Sequence, residues 1–178
     1  MTTSPTLILA YVDDQGRYSY VADAAARMAS TATARLIFYA PGVSGGRRAG
    51  QQAGAHHPGY LELEDLSEAG LGQLASEVRQ ARDSGVQAFA WVPESDDVTE
   101  LAEYAAQQGA DMIMLPAEKG EAGFLERLFG HSFQENLEQA GRQVALVGED
   151  GSIDYPQHEE AHQEGAESTE AARKDARQ

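Results

Sequence analysis

The stretch "EKGEAGFLERLFGHS" (118–132) holds the residues whose types and spacing best suit chemistry. Gly120, Gly123 and Gly130 surround a short apolar run that carries one arginine, Arg127. Glycines let backbone N–H groups approach phosphate oxygens closely, and a helix that follows adds its positive end. Loops that wrap phosphate usually place a Ser or Thr hydroxyl just after the last glycine. Here His131 stands there and Ser132 comes one step later. Lys119, Arg127 and a protonated His131 would supply positive charge to an anion. The stretch reads either as a phosphate loop or as a retained structural turn. Asp13 is a second candidate, because it ends the apolar run "TLILAYV" (6–12) and could accept hydrogen bonds from a ribose.

Other constellations are weaker. "HEEAH" (158–162) has the spacing of a zinc signature, but "YPQ" and "QEGAES" beside it provide no apolar face to hold two imidazoles on a stable helix. It reads as a chance match, and no metal site is expected. His56 and His57 lie in a Gly- and Gln-rich loop with Arg47 and Arg48, which reads as solvated or as a lid over a crevice. Asp96 and Asp97 read as a helix cap, with Asp97 and Glu100 spaced like a capping box. No nucleophile and base can be placed together, so turnover is not expected.

Composition narrows the function classes. The 178 residues suffice for one domain with a core, and the absence of cysteine excludes disulfides, thiolate metal sites and cysteine nucleophiles. A net charge of -16 argues against nucleic acid and against anionic lipid as partners. The N-terminal apolar run is too short for a signal sequence or a membrane span, so a cytoplasmic protein is expected.

The elements that must position these residues alternate between strand and helix. Strands are expected at 6–12, 35–40, 86–92, 111–116 and 143–147, and helices at 18–33, 66–83, from Asp97 to Gly109, and about 132–140. Residues 42–66 form a long loop. After Gly148 the apolar period stops, and 149–178 reads as an acidic, disordered tail that follows a single domain over 1–148. Repeated strand–helix units imply a parallel sheet with helices on both faces, and right-handed crossovers achieve this only if the strand order reverses once. Ligands bind outside the carboxyl ends of the strands at that reversal. If strand one is flanked by strands two and four, Asp13 faces the loop over 116–131 across the crevice. These features suggest a nucleotide site.

Over residues 5–148 the chain resembles the universal stress protein family. The resemblance rests on the first strand ending in "YVDD", on "VQAFAWVPESDDVTELAEYAAQQGADMIMLP", and on "KGEAGFLERLFGHSFQENLEQAGRQVALV". ATP-binding members carry two glycines separated by two residues, then nine residues, a third glycine and a Ser or Thr. Gly120 matches the second glycine and Gly130 the third. The resemblance implies an α/β fold, an open five-stranded parallel sheet of order 3-2-1-4-5 of the Rossmann-like, adenine nucleotide alpha hydrolase-like kind. It implies a homodimer through the fifth strand, 143–147, and ATP with Mg as ligand. It implies that Asp13 contacts the nucleotide, that the backbone at Ala40 meets adenine, and that Gly120, Gly130, His131 and Ser132 hold phosphate. The sequence departs from the pattern at Ala117, which replaces the first glycine, and at His131. It also departs at Tyr11, which replaces a proline and could fill base-binding space, and at Asp14, which replaces a glycine and adds negative charge near any phosphate. With the glycine pattern degenerate, a module that binds no nucleotide and acts through its dimer face, long loop or acidic tail is the alternative.

Overall fold

The computed structural model describes residues 4–42, 59–93, 98–117 and 142–155. Along the chain these form β1 (Leu7–Tyr11), α1 (Ser19–Ala32), β2 (Arg35–Tyr39), α2 (Leu63–Glu68) and α3 (Gly72–Asp83). Then come β3 (Ala88–Trp91), α4 (Val98–Gln108), β4 (Met112–Pro116), β5 (Gln143–Val147) and β6 (Ile153–Asp154). The strands make one sheet of order β3-β2-β1-β4-β5-β6. All pairs are parallel except β5–β6. The chain steps outward from β1 to β2 to β3, then returns to β4 on the other side of β1 and steps on to β5. The single reversal expected from the sequence therefore lies between β1 and β4.

The side-chain period of the strands sorts the core into two layers. Ile8, Ala10, Leu36, Phe38, Ala88, Ala90, Met112 and Met114 face one cluster, which also takes Val21, Ala25 and Ala29 of α1 and Leu74, Val78 and Ala81 of α3. Leu7, Leu9, Ile37, Tyr39, Phe89, Ile113 and Leu115 face the other, with Leu101, Tyr104 and Ala105 of α4. The alanines of α1 and of the strands beneath it let that helix lie close to the sheet. Successive residues thus point to opposite faces, and both faces need a helix; this accounts for the near-continuous apolar runs.

Three features differ from the sequence reading. The helix expected over 66–83 is two helices, α2 and α3. Gly70, at φ +76°, ends the first, and the Leu71 N–H donates back to the Leu66 carbonyl at 2.9 Å. This is a left-handed helix stop with its apolar contact, since Leu66 and Leu71 are both buried. The last part of the long loop expected over 42–66, residues 59–66, carries a β-bridge and the first helical turn of α2. Leu61 and Ala90 exchange N–H···O bonds that cover the outer edge of β3, and Glu62 with Asp65 makes a capping box for α2. The five-stranded, all-parallel sheet gains an antiparallel sixth strand from the segment read as the start of the tail. Gly151 at φ +79° turns the chain, Asp150 Oδ1 accepts from the N–H and hydroxyl of Ser152, and Gly148 N–H donates to the Ser152 carbonyl at 2.8 Å. The hairpin pairs Leu146 with Asp154 and Val147 with Ile153. Part of the outer edge of β5, the expected dimer edge, is thereby covered.

No helix of the described residues is long and apolar enough to cross a membrane. The helix expected over 132–140, the loop core 43–58, the cap at Asp96 and Asp97, and "HEEAH" lie outside the described residues.

Candidate functional site at the carboxyl ends of the strands

The reversal places the ends of β1 and β4 side by side, with Ile8 opposite Met112 and Ala10 opposite Met114. Asp13 follows the first of these strands and Ala117 the second. Ala40 follows β2, the other neighbour of β1. Asp13, Ala40 and Ala117 thus all stand at carboxyl ends of adjacent central strands, and Tyr11 is the last residue of β1.

Asp13 is only 6% exposed, and a buried carboxylate needs donors. Its Oδ1 accepts the backbone N–H groups of Gln15 (3.2 Å) and Arg17 (3.0 Å), and its Oδ2 accepts Arg17 Nε at 2.6 Å. The carboxylate organises the 13–17 turn around itself. The Arg17 side chain remains 65% exposed, so most of its guanidinium faces outward. The hydrogen bond to Asp13 and then the charge of Asp13 raise the Arg17 pKa, so the cation is fixed. The sequence reading passed over this arginine, although the spacing Asp-x-x-x-Arg offers it as a donor beside Asp13. Among the described residues it is the one positive side chain tied to this acid.

Asp14, expected to add negative charge near phosphate, has a structural partner on α3. Its Oδ1 accepts the Leu74 N–H at 2.9 Å, in the first turn of α3. That helix has no side-chain cap of its own at Leu71, so Asp14 satisfies an orphan donor and meets the positive end of the helix. No local pattern reveals this contact, because donor and acceptor lie 60 residues apart. Gly16, at φ +76°, brings the same turn against Gln73, whose Nε2 would lie 3.4 Å from an added Cβ. The turn after β1 is therefore bonded to α3 at Asp14 and lies close to it at Gly16.

The neighbouring backbone groups are also engaged. The Ala40 N–H donates to the Trp91 carbonyl at 2.9 Å, and the Ala117 N–H donates to the Val147 carbonyl at 2.7 Å. Ala117 is not among the residues of positive φ, so alanine in place of glycine costs nothing in backbone conformation there. The Tyr11 ring is half-buried and packs edge-on to Tyr18, with centroids 5.8 Å apart. On the α4 side, Trp91 stacks on Tyr104 at 5.4 Å and 6°, and the Tyr104 hydroxyl donates to the Gly59 carbonyl. Burial holds that hydroxyl far above its usual pKa. Gly120, Gly130, His131, Ser132, Lys119 and Arg127 lie outside the described residues.

No protein-family model matches the chain, and no curated protein matches it. Solved structures similar to it include several universal stress proteins. One is a universal stress protein in complex with cAMP, at 18% identity and a TM-score of 0.46, covering 81% of this chain and 97% of that one. Another is a universal stress protein family member from Burkholderia pseudomallei, at 22% identity and a TM-score of 0.44, covering 83% of this chain and 98% of that one. A universal stress protein from Archaeoglobus fulgidus stands at 17% identity and a TM-score of 0.47, covering 79% of this chain and 92% of that one. At TM-scores below 0.5 these likenesses carry neither family membership nor function to this chain.

Proposed function

We propose that this chain is a universal-stress-protein-like stress-response protein, a cytoplasmic homodimer that binds a nucleotide, ATP with Mg, at the reversal between β1 and β4. The observation that carries the reading is the placement of Asp13 and Ala117 after adjacent strands at the one point where the strand order reverses. Asp13 and the backbone at Ala40 would meet the nucleoside, and Gly120, Gly130, His131 and Ser132 the phosphates. Arg17 adds to this set. Its exposed guanidinium would contact a phosphate, or swing away to leave Asp13 to a ribose hydroxyl, with the two backbone donors of the turn still holding the carboxylate. The protein would act by binding, since no general base is identified.

A second reading has specific support. Asp13 has three internal donors, and the N–H groups of Ala40 and Ala117 are spent on neighbouring carbonyls. A crevice so satisfied suits a module that binds no nucleotide and recruits partners through its dimer face, long loop or acidic tail. Nucleotide content separates the two. The protein, purified without added nucleotide and denatured, should release stoichiometric ATP or ADP, and the emptied protein should bind ATP with Mg in calorimetry. Asp13→Ala and Gly130→Val should abolish that binding. A folded protein that releases nothing and gives no heat would leave the interaction module as the function.

A further inference from the structure

A groove of about 530 Å³ runs between α1 and α3, over β2 on the face that those two helices cover. Its buried lining, Ala22, Phe38, Glu77 and Ala81, makes a floor, and the exposed Asp23, Arg27, Ser30, Thr31, Gln80 and Ser84 make a rim. The volume is that of a small-molecule site. Glu77 is the anomaly. It is 6% exposed, and although Oε1 accepts the Gln73 amide at 3.2 Å, Oε2 is buried with no hydrogen-bond partner. A buried carboxylate oxygen without a partner is costly and calls for an explanation, of which a ligand is one.

We propose that this groove binds a small organic cation, a primary ammonium compound of about diamine size, with Glu77 on the floor and Asp23 on the rim as its carboxylate partners. The charged groups around Glu77 agree on the sign. Asp13 and Asp14 act on it from the turn after β1 and Asp23 from α1, all negative. The cation of the groove, Arg27, is drawn elsewhere: its Nη2 lies 3.6 Å from where a Cβ on Gly151 would stand, at the β5–β6 turn. An anion would find only repulsion on the floor. A bare divalent metal is a poorer fit, because no group of three or more metal-ligating side chains exists among the described residues. An ammonium needs less, since it has three donors and no preferred coordination shell, and the carboxylates of Glu77 and Asp23 offer acceptors for them. The net charge of -16 would draw such a ligand in.

Binding of the cation requires the ionised form of Glu77, which burial and the neighbouring acids disfavour, so uptake releases a proton. The full chain is titrated with putrescine by calorimetry at pH 6 and pH 8, in buffers of different ionisation enthalpy. The expected result is one saturable site, roughly tenfold tighter at pH 8, with proton release at pH 6. Glu77→Gln, which keeps the side-chain volume, should weaken binding at least tenfold and erase the pH dependence. Ala26→Leu fills the groove with a good helix former and leaves every carboxylate in place, so it should also block binding. That variant decides the matter if Glu77→Gln fails to fold. Absence of saturable binding would overturn the proposal. So would equal binding by either folded variant, or heat matched by 1,4-butanediol or fully competed by magnesium chloride, the mark of diffuse attraction to an acidic surface.

Discussion

The crevice at the strand ends and the groove between α1 and α3 make opposite use of buried acid. Asp13 and Glu77 have the same exposure, 6%. Asp13 is surrounded by donors that its own turn supplies, two backbone N–H groups and an arginine. Glu77 has one amide on one oxygen and nothing on the other. Burial alone therefore does not mark a site. Topology shows where the fold tends to hold ligands, and the crevice is that place. Unmet hydrogen-bonding capacity shows where a polar group still needs a partner, and of the two regions only the groove shows that in a side chain the structure fully describes. The contrast is local in origin. The turn "DDQGR" folds back on its first carboxylate, whereas Glu77 lies inside a helix whose backbone N–H groups are already committed.

The comparison can be broken most severely at the floor of the groove. Phe38 of β2 is 1% exposed and lines the groove from beneath. Phe38→Ala removes a fully buried ring from between α1 and α3 and should cost about 3–5 kcal/mol. Urea unfolding at constant slope measures it. The same loss spread across the crevice would mean that the two regions are one cooperative unit. If putrescine binding falls while ATP binding persists in the folded fraction, they are separate.

The next effect separates the two acids by pH. Burial first, and then the charges of Asp13, Asp23 and Asp14, push the Glu77 carboxyl up to about 7, against 4.5 for the ordinary group; the Gln73 hydrogen bond offsets this in part. The folded form therefore holds this proton more tightly than the unfolded chain does. The associated stability is complete below about pH 4.5 and is lost as pH rises through about 7. The loss should be on the order of 3 kcal/mol between pH 5 and 8. Glu77→Gln cannot ionise and should flatten that part of the stability profile, as read by denaturation at a series of pH values. An unchanged slope in the variant would assign the pH dependence to the general acidity of the chain.

Much of this contrast was present in the sequence, though unevenly. The strands came through because apolar runs of strand length alternate with helical periods, and both signals are local; their order came from the resemblance, since no local pattern says which strands pair. Glu77 could have been found, since it falls between Leu74, Val78 and Ala81 on the apolar stripe of its helix, at spacings of three and four. A charged residue on such a stripe is a buried charge. The sixth strand also left a trace, the Asp150-Gly151 pair two residues before Ile153. The acidic composition of residues 156–178 hid it. The cap that Asp14 gives to α3 had no trace, because only the fold brings residues 14 and 74 together.

The smallest effects bear on the turn after β1, where its two acids can be told apart. Asp14→Ala leaves the first turn of α3 without its side-chain acceptor and should cost about 1 kcal/mol, with no direct effect on a ligand in the crevice. Arg17→Ala removes the charged partner of the buried Asp13 but keeps the two backbone donors, so the unfolding midpoint should fall only slightly. Its consequence should appear in binding. If the guanidinium holds a phosphate, ATP affinity in calorimetry drops while adenosine affinity does not. If Arg17 only shields Asp13, adenosine binds more tightly once it is gone, because the carboxylate is then open to a ribose hydroxyl. A variant that changes neither affinity would place the nucleotide away from Asp13 altogether. In that case the buried carboxylate after β1 is a device for building the turn, and the turn's task is to hold α3, and with it Glu77, in position above the sheet.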